Sequence, residues 1–435
     1  MDIWIVALLL LVALAALLAS GFWIALTLLG VGWLAMVCFT SSPAGGLMAT
    51  TVWGASNSWA LTALPLFIWM GEILFRTRIS EDMFRGLAPW MAPLPGRLVH
   101  CNVFGCGIFA AISGSSAATA ATIGRITIPE LARRGYDEPM AIGSLAGAAT
   151  LGLLIPPSII MIVYGVAADV SIARLFVAGV LPGVMLMLMF SGYIIAWALL
   201  NPAKTPPRES MTTLGEKVYA ARHLIPAVLL IAAVIGSIYT GVATPTEAAM
   251  IGVAGALVLA AVTGSLGWKS FSESVMGATK TSCMIAFILA GAAFLTVAMG
   301  FTGVPRIIAE WIARQGFSAV HLIAVLTLLY IVLGCFIDGI SMVVLTSSVV
   351  LPSIKAAGID LLWFGIFVVI VVEMAQITPP VGFNLFVLQG LTGRNMFYVA
   401  RAALPFFFLM VAAVALIWLF PGIVTFLPGK MFKLH

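Results

Sequence analysis

Charged residues are scarce in this sequence: Asp, Glu, Lys and Arg together make up 9% of the 435 residues, whereas soluble domains contain about 25%. Hydrophobic residues make up 62% of the chain, and the mean hydropathy is +1.16. So little charge excludes an ordinary water-soluble protein, because a soluble surface is built largely from charged side chains. The composition indicates an integral membrane protein that crosses the bilayer many times.

The sequence also lacks the motifs of nucleotide-binding proteins and enzymes. It contains no GxxxxGK[ST] loop, which excludes ATP binding through a Walker loop. It contains no Ser/His/Asp arrangement and no CxxC pair or paired histidines, so we predict neither an enzyme nor a metal cluster. The net charge of +5 comes from basic residues at the ends of apolar segments and reports topology, not nucleic-acid binding. Five cysteines are interpreted as packing residues: Cys38, Cys101, Cys106, Cys283 and Cys335.

Two proline pairs interrupt apolar segments at matching positions. Pro156 and Pro157 in LIPPS recur 223 residues later as Pro379 and Pro380 in QITPPVGFN. Interrupted apolar segments in corresponding halves point to the binding site of a secondary transporter, because a broken helix frees backbone carbonyls. The same offset relates further residues: Pro129 to Pro352, Gly135 to Gly358, Asp137 to Asp360 and Pro182 to Pro405.

Each half also contains one segment with small polar residues at its centre. Leu98 to Pro129 has its centre at Ser113 to Ser116, and His321 to Pro352 has its centre at Gly334 to Ser341. Arms of about 16 residues rise about 24 Å, less than the roughly 30 Å hydrocarbon core, so these segments are predicted to be re-entrant hairpins. We therefore predict an all-α polytopic membrane protein of two inverted repeats, each with about five spans, one re-entrant hairpin and one broken helix.

The hairpin tips and the breaks are the predicted binding sites. Sodium takes five or six oxygens, and non-helical backbone supplies carbonyls without intrahelical partners. The first predicted sodium site combines Ser113, Gly152, Ile155 and Pro157. The second combines Gly334, Asp338, Ala375, Thr378 and Val381. Half-helix N-termini carry partial positive charge, so an anionic substrate is predicted beside four polar residues: Ser115, Ser116, Ser341 and Asn384.

Acids inside apolar segments are functional candidates because a charge is costly at membrane depth. Asp338 is aligned with Ser115 by the repeat and either binds a cation or proton or caps a helix. Glu373 is either functional or a structural cap. Two other acids have local explanations: Glu72 is spaced to pair with Arg76, and Glu247 in TPTEAAM is spaced to stabilise a helix N-terminus.

Several motifs together resemble a known family. These are SGSSAATAATIGRITIPEL, LIPPS, ATPTEAAMIG and ITPPVGFNLF, and with them the chain resembles the large membrane subunit of tripartite ATP-independent periplasmic transporters of the dicarboxylate and sialic-acid type. The resemblance covers essentially the whole chain. It implies sodium-driven uptake of a carboxylate delivered by a periplasmic binding protein, a separate small four-helix membrane subunit, and an elevator mechanism. The acid at the second tip, Asp338, leaves proton coupling open.

The resemblance also implies a division of the chain. Residues 1–96 are predicted as the first half of a scaffold with an interfacial arm helix, and 97–200 as the first half of a transport domain. Residues 201–222 are a predicted cytoplasmic linker. Residues 223–319, with a second arm helix, complete the scaffold, and 320–435 complete the transport domain. The expected arm helices are Gly86 to Pro95 and Val304 to Ser318.

The loop charges give an orientation. With the N-terminus outside, fifteen of the 21 Lys and Arg residues fall on the cytoplasmic side. We therefore expect a multi-pass protein of the bacterial inner membrane with both termini in the periplasm. Two alternatives stay open: a stand-alone sodium or proton symporter without a binding protein, and a channel or assembly scaffold.

Overall fold

The computed structural model describes residues 3–207, 213–314, 318–334, 336–380 and 382–431. Within these ranges every regular element is helical, which confirms the predicted all-α class. Val381 and Cys335 lie outside the described residues. The first half contains α1 (Ile3–Ala19), α2 (Ile24–Phe39), α3 (Ala44–Ser56), α4 (Ala63–Phe75), α5 (Ile79–Met91), α6 (His100–Ser113), α7 (Ser116–Arg133), α8 (Glu138–Ala149), α9 (Leu151–Leu154), α10 (Ile159–Ala168) and α11 (Ile172–Leu200).

The linker and the second half continue in the same manner. They contain α12 (Leu214–Ala221), α13 (Ile225–Tyr239), α14 (Pro245–Val262), α15 (Trp268–Thr302), α16 (Val304–Arg314), α17 (Ala319–Gly334), α18 (Gly339–Ala356), α19 (Leu361–Gln376), α20 (Phe383–Thr392), α21 (Met396–Leu419) and α22 (Gly422–Lys430). Short 3₁₀ segments connect some of them: Trp59–Thr62, Arg97–Val99 and Pro202–Lys204.

The internal repeat is visible in the helix boundaries. α7 and α18 begin 223 residues apart, and so do α8 and α19. Their caps are repeated too, because Asp137 accepts from a backbone N–H in the first turn of α8 and Asp360 does the same for α19. Side-chain oxygens at an N-cap satisfy N–H groups that have no intrahelical partner. The duplicated acids therefore mark where the duplicated helices start.

The lengths of the apolar helices fit a polytopic protein. α11, α14, α15, α18 and α21 are long and apolar enough to span a bilayer, and three bent helix pairs meet the same criterion together. One bent pair is the first broken helix, where α8–α9 and α10 meet at 43°. α18 has 18 residues, which rise about 27 Å, and its continuity with α17 identifies it as the second arm of a hairpin.

The structure adds detail to the first half and the linker. α3 is followed by the 3₁₀ turn Trp59–Thr62 and α4, and the two parts are bent by 51° but together are long and apolar enough for one span. The segment expected to be the first arm helix, Gly86 to Pro95, overlaps α5, which begins at Ile79 and ends at Met91. Glu81 and Asp82 lie in its first turn, where negative charge stabilises a helix N-terminus. The predicted linker also contains the short helix α12, closed by a capping box of Thr213 and Glu216.

The helices pack in two groups. α15 packs along α2, α3 and α4, while α14 packs on α4 and α13. In the other group α8 packs on α21, α6 and α7. The half-helices after each break are exchanged between the repeats, because α20 packs on the hairpin arm α7 and α10 packs on the hairpin arm α18. The two repeats therefore interlock around the hairpins and the breaks.

Ion pairs join the repeats on one side of the molecule. Arg394, just before α21, binds Glu138 at the start of α8 with an Nε–Oε1 distance of 2.7 Å. The ammonium of Lys204 lies 3.5 Å from Asp137. The loops before α8 and α21 and the loop after α11 thus share one face.

A prediction for the packing concerns Gly143 on α8. A methyl group there would collide with the backbone carbonyl of Ala402 on α21, and backbone cannot move aside cheaply. Gly143→Ala should destabilise the fold by about 1–3 kcal/mol. Gly390 on α20 is the matched control, because no atom lies within 4 Å of an added Cβ, and Ala there should be neutral or stabilising by up to about 1 kcal/mol. Thermal unfolding of the two purified variants tests this, and equal melting temperatures would contradict it.

Candidate functional site

The first hairpin tip is a compact turn held by hydroxyl groups. α6 ends at Ser113, and Ser115 caps α7 by accepting from the N–H of Ala118 at 3.4 Å. The hydroxyls of Ser113 and Thr119 lie 2.8 Å apart, and Thr119 also donates to the carbonyl of Ser115 at 2.8 Å. The tip therefore collects hydroxyl and carbonyl oxygens in a buried place, which is the kind of ligand set that a hard cation requires.

The first break lies directly against this tip. A Cβ added to Gly152 would lie 2.6 Å from the Cα of Ser116, so only glycine permits the approach. After the break, the N–H of Ile159 donates to the carbonyl of Gly114 at 3.4 Å. The carbonyl of Pro157 also faces Gly114. The backbone of the first tip is thus in direct contact with the backbone of the first break.

The residues of the first predicted sodium site are distributed as follows. Ser113, Gly152 and Pro157 all belong to the contact between tip and break. The side chain of Ile155 instead packs towards Gly107 on α6 and Gly183 on α11. Whether these residues bind sodium stays a prediction.

The second tip and the second break repeat this arrangement. Gly334, the last residue of α17, lies against Ala375 of α19, and Gly339 at the start of α18 lies against Gln376. In the break itself, Thr378 donates its hydroxyl proton to the carbonyl of Met374 at 2.7 Å. The structure therefore brings Gly334 and Ala375 into contact, while Thr378 lies in the break that follows α19.

Asp338 is the N-cap of α18. Its carboxylate accepts from the N–H groups of Ile340 and Ser341 at 3.0 and 3.1 Å, and the Ser341 hydroxyl donates to the same carboxylate. Asp338 is exposed, and the position matches Ser115 of the first tip. Asp338 therefore caps α18, and whether it also belongs to a cation site stays a prediction.

Asn384 stands out among the four residues predicted to bind substrate. It is 0% exposed, and neither its amide nitrogen nor its amide oxygen has a hydrogen-bond partner among the described residues. Burying an amide without partners costs about 1–3 kcal/mol, so a partner outside the protein chain is expected. Ser115 and Ser341 take part in the caps of α7 and α18, and Ser116 is buried at the first tip.

Glu373 joins the two repeats. It lies in α19 of the second half, is 0% exposed, and faces Ser116 and the backbone of Leu153 in the first half. Neither carboxylate oxygen reaches hydrogen-bonding geometry with any described atom. The carboxyl group of Glu373 therefore points at the first tip and break, and whether its role is functional or structural stays a prediction.

The other two acids have the local roles expected from their spacing. Glu72 forms an ion pair with Arg76 one turn along α4. Glu247 and Thr244 form a reciprocal capping box at the start of α14. Both acids interact within their own helices and are not part of the hairpin tips.

A large cavity opens beside the second tip. It has a volume of about 750 Å³ and lies between the start of α2, the middle of α15 and the tip residues Asp338 and Ser341. Lys280 of α15 lines the same cavity. The sequence reasoning missed this residue, because it counted Lys280 only as a loop charge. The available signal was its position: Lys280 stands where the long apolar stretch of α15 begins.

A smaller cavity reaches the second break from another direction. It has a volume of about 250 Å³ and is lined by Thr378, Pro379, Phe397 and Arg401, among others. Thr378 is thus bordered by a space large enough for water or a small ion.

Apolar spans, paired re-entrant hairpins and two broken helices define a polytopic membrane transport protein. The family model described as "Tripartite ATP-independent periplasmic transporter, DctM component" matches residues 11–423. The chain therefore belongs to this family, whose members are transporter permease subunits and not enzymes, and the resemblance predicted from the motifs is confirmed.

Two curated relatives and one solved structure illustrate the similarity. The chain is 32% identical over 385 residues to the C4-dicarboxylate TRAP transporter large permease protein DctM of Pseudomonas aeruginosa, covering 88% of this chain and 89% of the relative. It is 30% identical over 405 residues to the isethionate TRAP transporter permease protein DctMQ of Oleidesulfovibrio alaskensis, covering 92% of this chain and 63% of the relative. The crystal structure of the Alcanivorax borkumensis YdaH transporter has a TM-score of 0.63 at 12% identity, with 92% and 97% of the two chains covered. That likeness concerns the fold alone.

A prediction follows from the unpartnered amide of Asn384. Asn384→Leu keeps the approximate size and removes both polar atoms. If the amide binds a transported solute or ion, uptake should fall at least about tenfold while the thermal stability of the empty protein stays equal or rises by about 1 kcal/mol. Transport assays and melting curves on the same preparation give both readouts. Unchanged uptake would remove Asn384 from the site.

Proposed function

We propose that this chain is the large permease subunit of a sodium-coupled transporter that imports an organic acid. The observation that carries the proposal is the duplicated junction of hairpin tip and broken helix. Each junction gathers backbone carbonyls and hydroxyls without a fixed metal cluster, which suits a weakly held, cotransported cation. Glu373 and Asn384 are buried without a hydrogen-bond partner among the described residues, and they lie on α19 and α20, the two parts of the second broken helix.

The proposed sodium ligands keep the assignments made from the sequence. The first site uses Ser113, Gly152, Ile155 and Pro157, with the Ile155 contribution limited to its backbone carbonyl. The second site uses Gly334, Asp338, Ala375, Thr378 and Val381, of which Val381 lies outside the described residues. Glu373 faces the first tip, and a cation bound there would favour the ionised form of its carboxyl group.

An organic acid is the proposed substrate class because two relatives are named for anions, a C4-dicarboxylate and isethionate. Charge favours cotransport. Moving one net negative charge into a cell that is 100 mV negative inside costs about 2.3 kcal/mol, so an entering anion requires compensating cations. Substrate contacts are proposed at Ser115, Ser116, Ser341 and Asn384.

The proposed mechanism is an elevator. Support comes from the packing, because α2, α3, α4, α14 and α15 form one group and the hairpins with the broken helices form another. The boundary between them runs past both tips, where Gly71 of α4 contacts the backbone of Ser113 and α15 packs on α18. The proposed scaffold is 1–96 with 223–319, the transport domain is 97–200 with 320–435, and 201–222 link the repeats.

The proposed assembly has three components, as the family description implies. A periplasmic binding protein would deliver the substrate, and a small four-helix membrane subunit would be a separate chain. One relative is a DctMQ protein of which this chain matches 63%, so fused arrangements also exist in the family. We place the protein in the bacterial inner membrane with both termini periplasmic, supported by the loop charges and by the ion-paired loops that share one face.

Uptake into proteoliposomes tests the function. The chain is reconstituted with its small subunit, and labelled succinate is offered with or without the binding protein, in sodium or in potassium. Saturable uptake that requires both sodium and the binding protein is the expected result. Uptake without the binding protein would favour the stand-alone symporter, and uptake driven by a pH gradient in potassium would indicate proton coupling. Flux that does not saturate would indicate a channel.

Thr378 provides the sharpest test of the second cation site. Thr378→Ala removes the hydroxyl oxygen beside the carbonyls of the break, so the sodium concentration for half-maximal uptake should rise about tenfold. Thr378→Ser is the matched control, because it keeps the hydroxyl that bonds Met374, and its sodium dependence should stay close to that of the original protein. Sodium activation that is identical in all three proteins would contradict the assignment.

A further inference from the structure

The cavity beside the second tip has walls from both packing groups. α15 contributes Lys280, Cys283 and Phe287, and the start of α2 contributes Trp23, while the hairpin contributes Asp338 and Ser341. Its volume of about 750 Å³ lies within the range of roughly 300–1,000 Å³ that is usual for small-molecule sites. Apolar and aromatic walls with a few charged groups are the ordinary composition of such sites.

The two charged groups in this cavity differ in how they are engaged. The carboxylate of Asp338 is occupied by the cap of α18, where it accepts from two backbone N–H groups and from the Ser341 hydroxyl. Lys280 has no ion pair and no hydrogen bond from its side chain within the described part of the chain. The cavity therefore contains one uncommitted positive charge.

The position of Lys280 makes this charge unusual. It lies on α15 at the start of the apolar stretch, and the next two turns of the helix are Thr281 to Phe287. A lysine beside an apolar span normally faces a water-filled cavity or a solute pathway, because exposure to hydrocarbon is costly. Lys280 faces such a cavity, which the second hairpin tip also lines.

We propose that Lys280 recognises the carboxylate of the transported acid when the second tip lies opposite it. This inference rests on the proposed function for the substrate class. An ammonium is a compact charge with three donors, so it attracts a carboxylate without demanding one geometry. In the arrangement seen here Lys280 of α15 and the tip line one cavity, and the proposed elevator motion would separate them. Lys280 would therefore favour a bound anion in this position of the transporter.

A native thiol reports the charge of the cavity without any turnover. Cys283 is free and exposed and lies three residues after Lys280, on the same side of α15. Open membrane fragments with the chain and its small subunit are treated with an anionic or a cationic methanethiosulfonate, and mass spectrometry gives the rate at Cys283. Lys280→Gln should lower the ratio of anionic to cationic rates about tenfold, because the positive charge of Lys280 attracts the anionic reagent to the neighbouring thiol and repels the cationic one.

Two further variants control this measurement. Lys280→Arg keeps the charge and should keep the ratio. Lys269→Gln removes a lysine from the same helix, about 16 Å away along its axis, and should leave the ratio unchanged. An equal ratio in the original protein and in Lys280→Gln would overturn the proposal, and so would an equal loss in Lys269→Gln.

Competition tests the recognition of carboxylates directly. Acetate, succinate or citrate is added at matched ionic strength before the anionic reagent, with glucose as the neutral control. At least one carboxylate should slow the modification of Cys283 in the original protein, and about tenfold more of it should be needed in Lys280→Gln. No protection by any of the three would overturn the proposal. Because the thiol assay needs neither sodium nor the binding protein, it separates this inference from the proposed function, which fails if uptake is independent of sodium.

Discussion

Backbone N–H and C=O groups at a break in a membrane helix cannot form hydrogen bonds with lipid. This constraint determines the structure at the centre of the molecule. Both breaks lie against a hairpin tip of the same repeat. At the first junction Ile159 donates to Gly114, and at the second Gly334 of the tip lies against Ala375. Within the second break Thr378 donates to Met374. Tips and breaks stabilise each other, because each consists of half-helices whose terminal backbone groups have no intrahelical hydrogen-bond partners. The exchange of α10 and α20 between the repeats then binds both junctions into one body.

Some buried polar side chains have no hydrogen-bond partner among the described residues. Glu373 and Asn384 are buried with no described partner for their side-chain oxygens and nitrogen, although the surrounding caps are fully engaged. A core selected for stability alone would replace such groups with apolar ones. Their presence next to the junctions agrees with solutes or ions that arrive and leave, and it connects the energetics of the fold with the proposed transport cycle.

The two hairpin tips differ in charge at equivalent capping positions. Ser115 and Asp338 occupy equivalent positions and are the N-caps of α7 and α18. A serine accepts one backbone N–H here, whereas the aspartate accepts two and a hydroxyl besides. The negative charge of Asp338 is thus balanced by the start of α18. Lys280, on the opposite wall of the large cavity, has no ion pair or hydrogen bond from its side chain within the described residues.

Much of this architecture follows from the sequence, since duplicated prolines, glycines and acids mark the places where helices must begin, end or break. Pro156 and Pro379 locate the breaks, and Asp137 and Asp360 locate the helix starts, because these residues act on the backbone within a few positions of themselves. Side-chain surroundings are a different matter. Four features depend on contacts between distant segments. They are the burial of Asn384, the approach of Glu373 to the other repeat, the packing of the Ile155 side chain towards α6 and α11, and the position of Lys280 in the same cavity as the second tip. One sequence assigns a residue to a helix, but only the packing of that helix decides what its side chain faces.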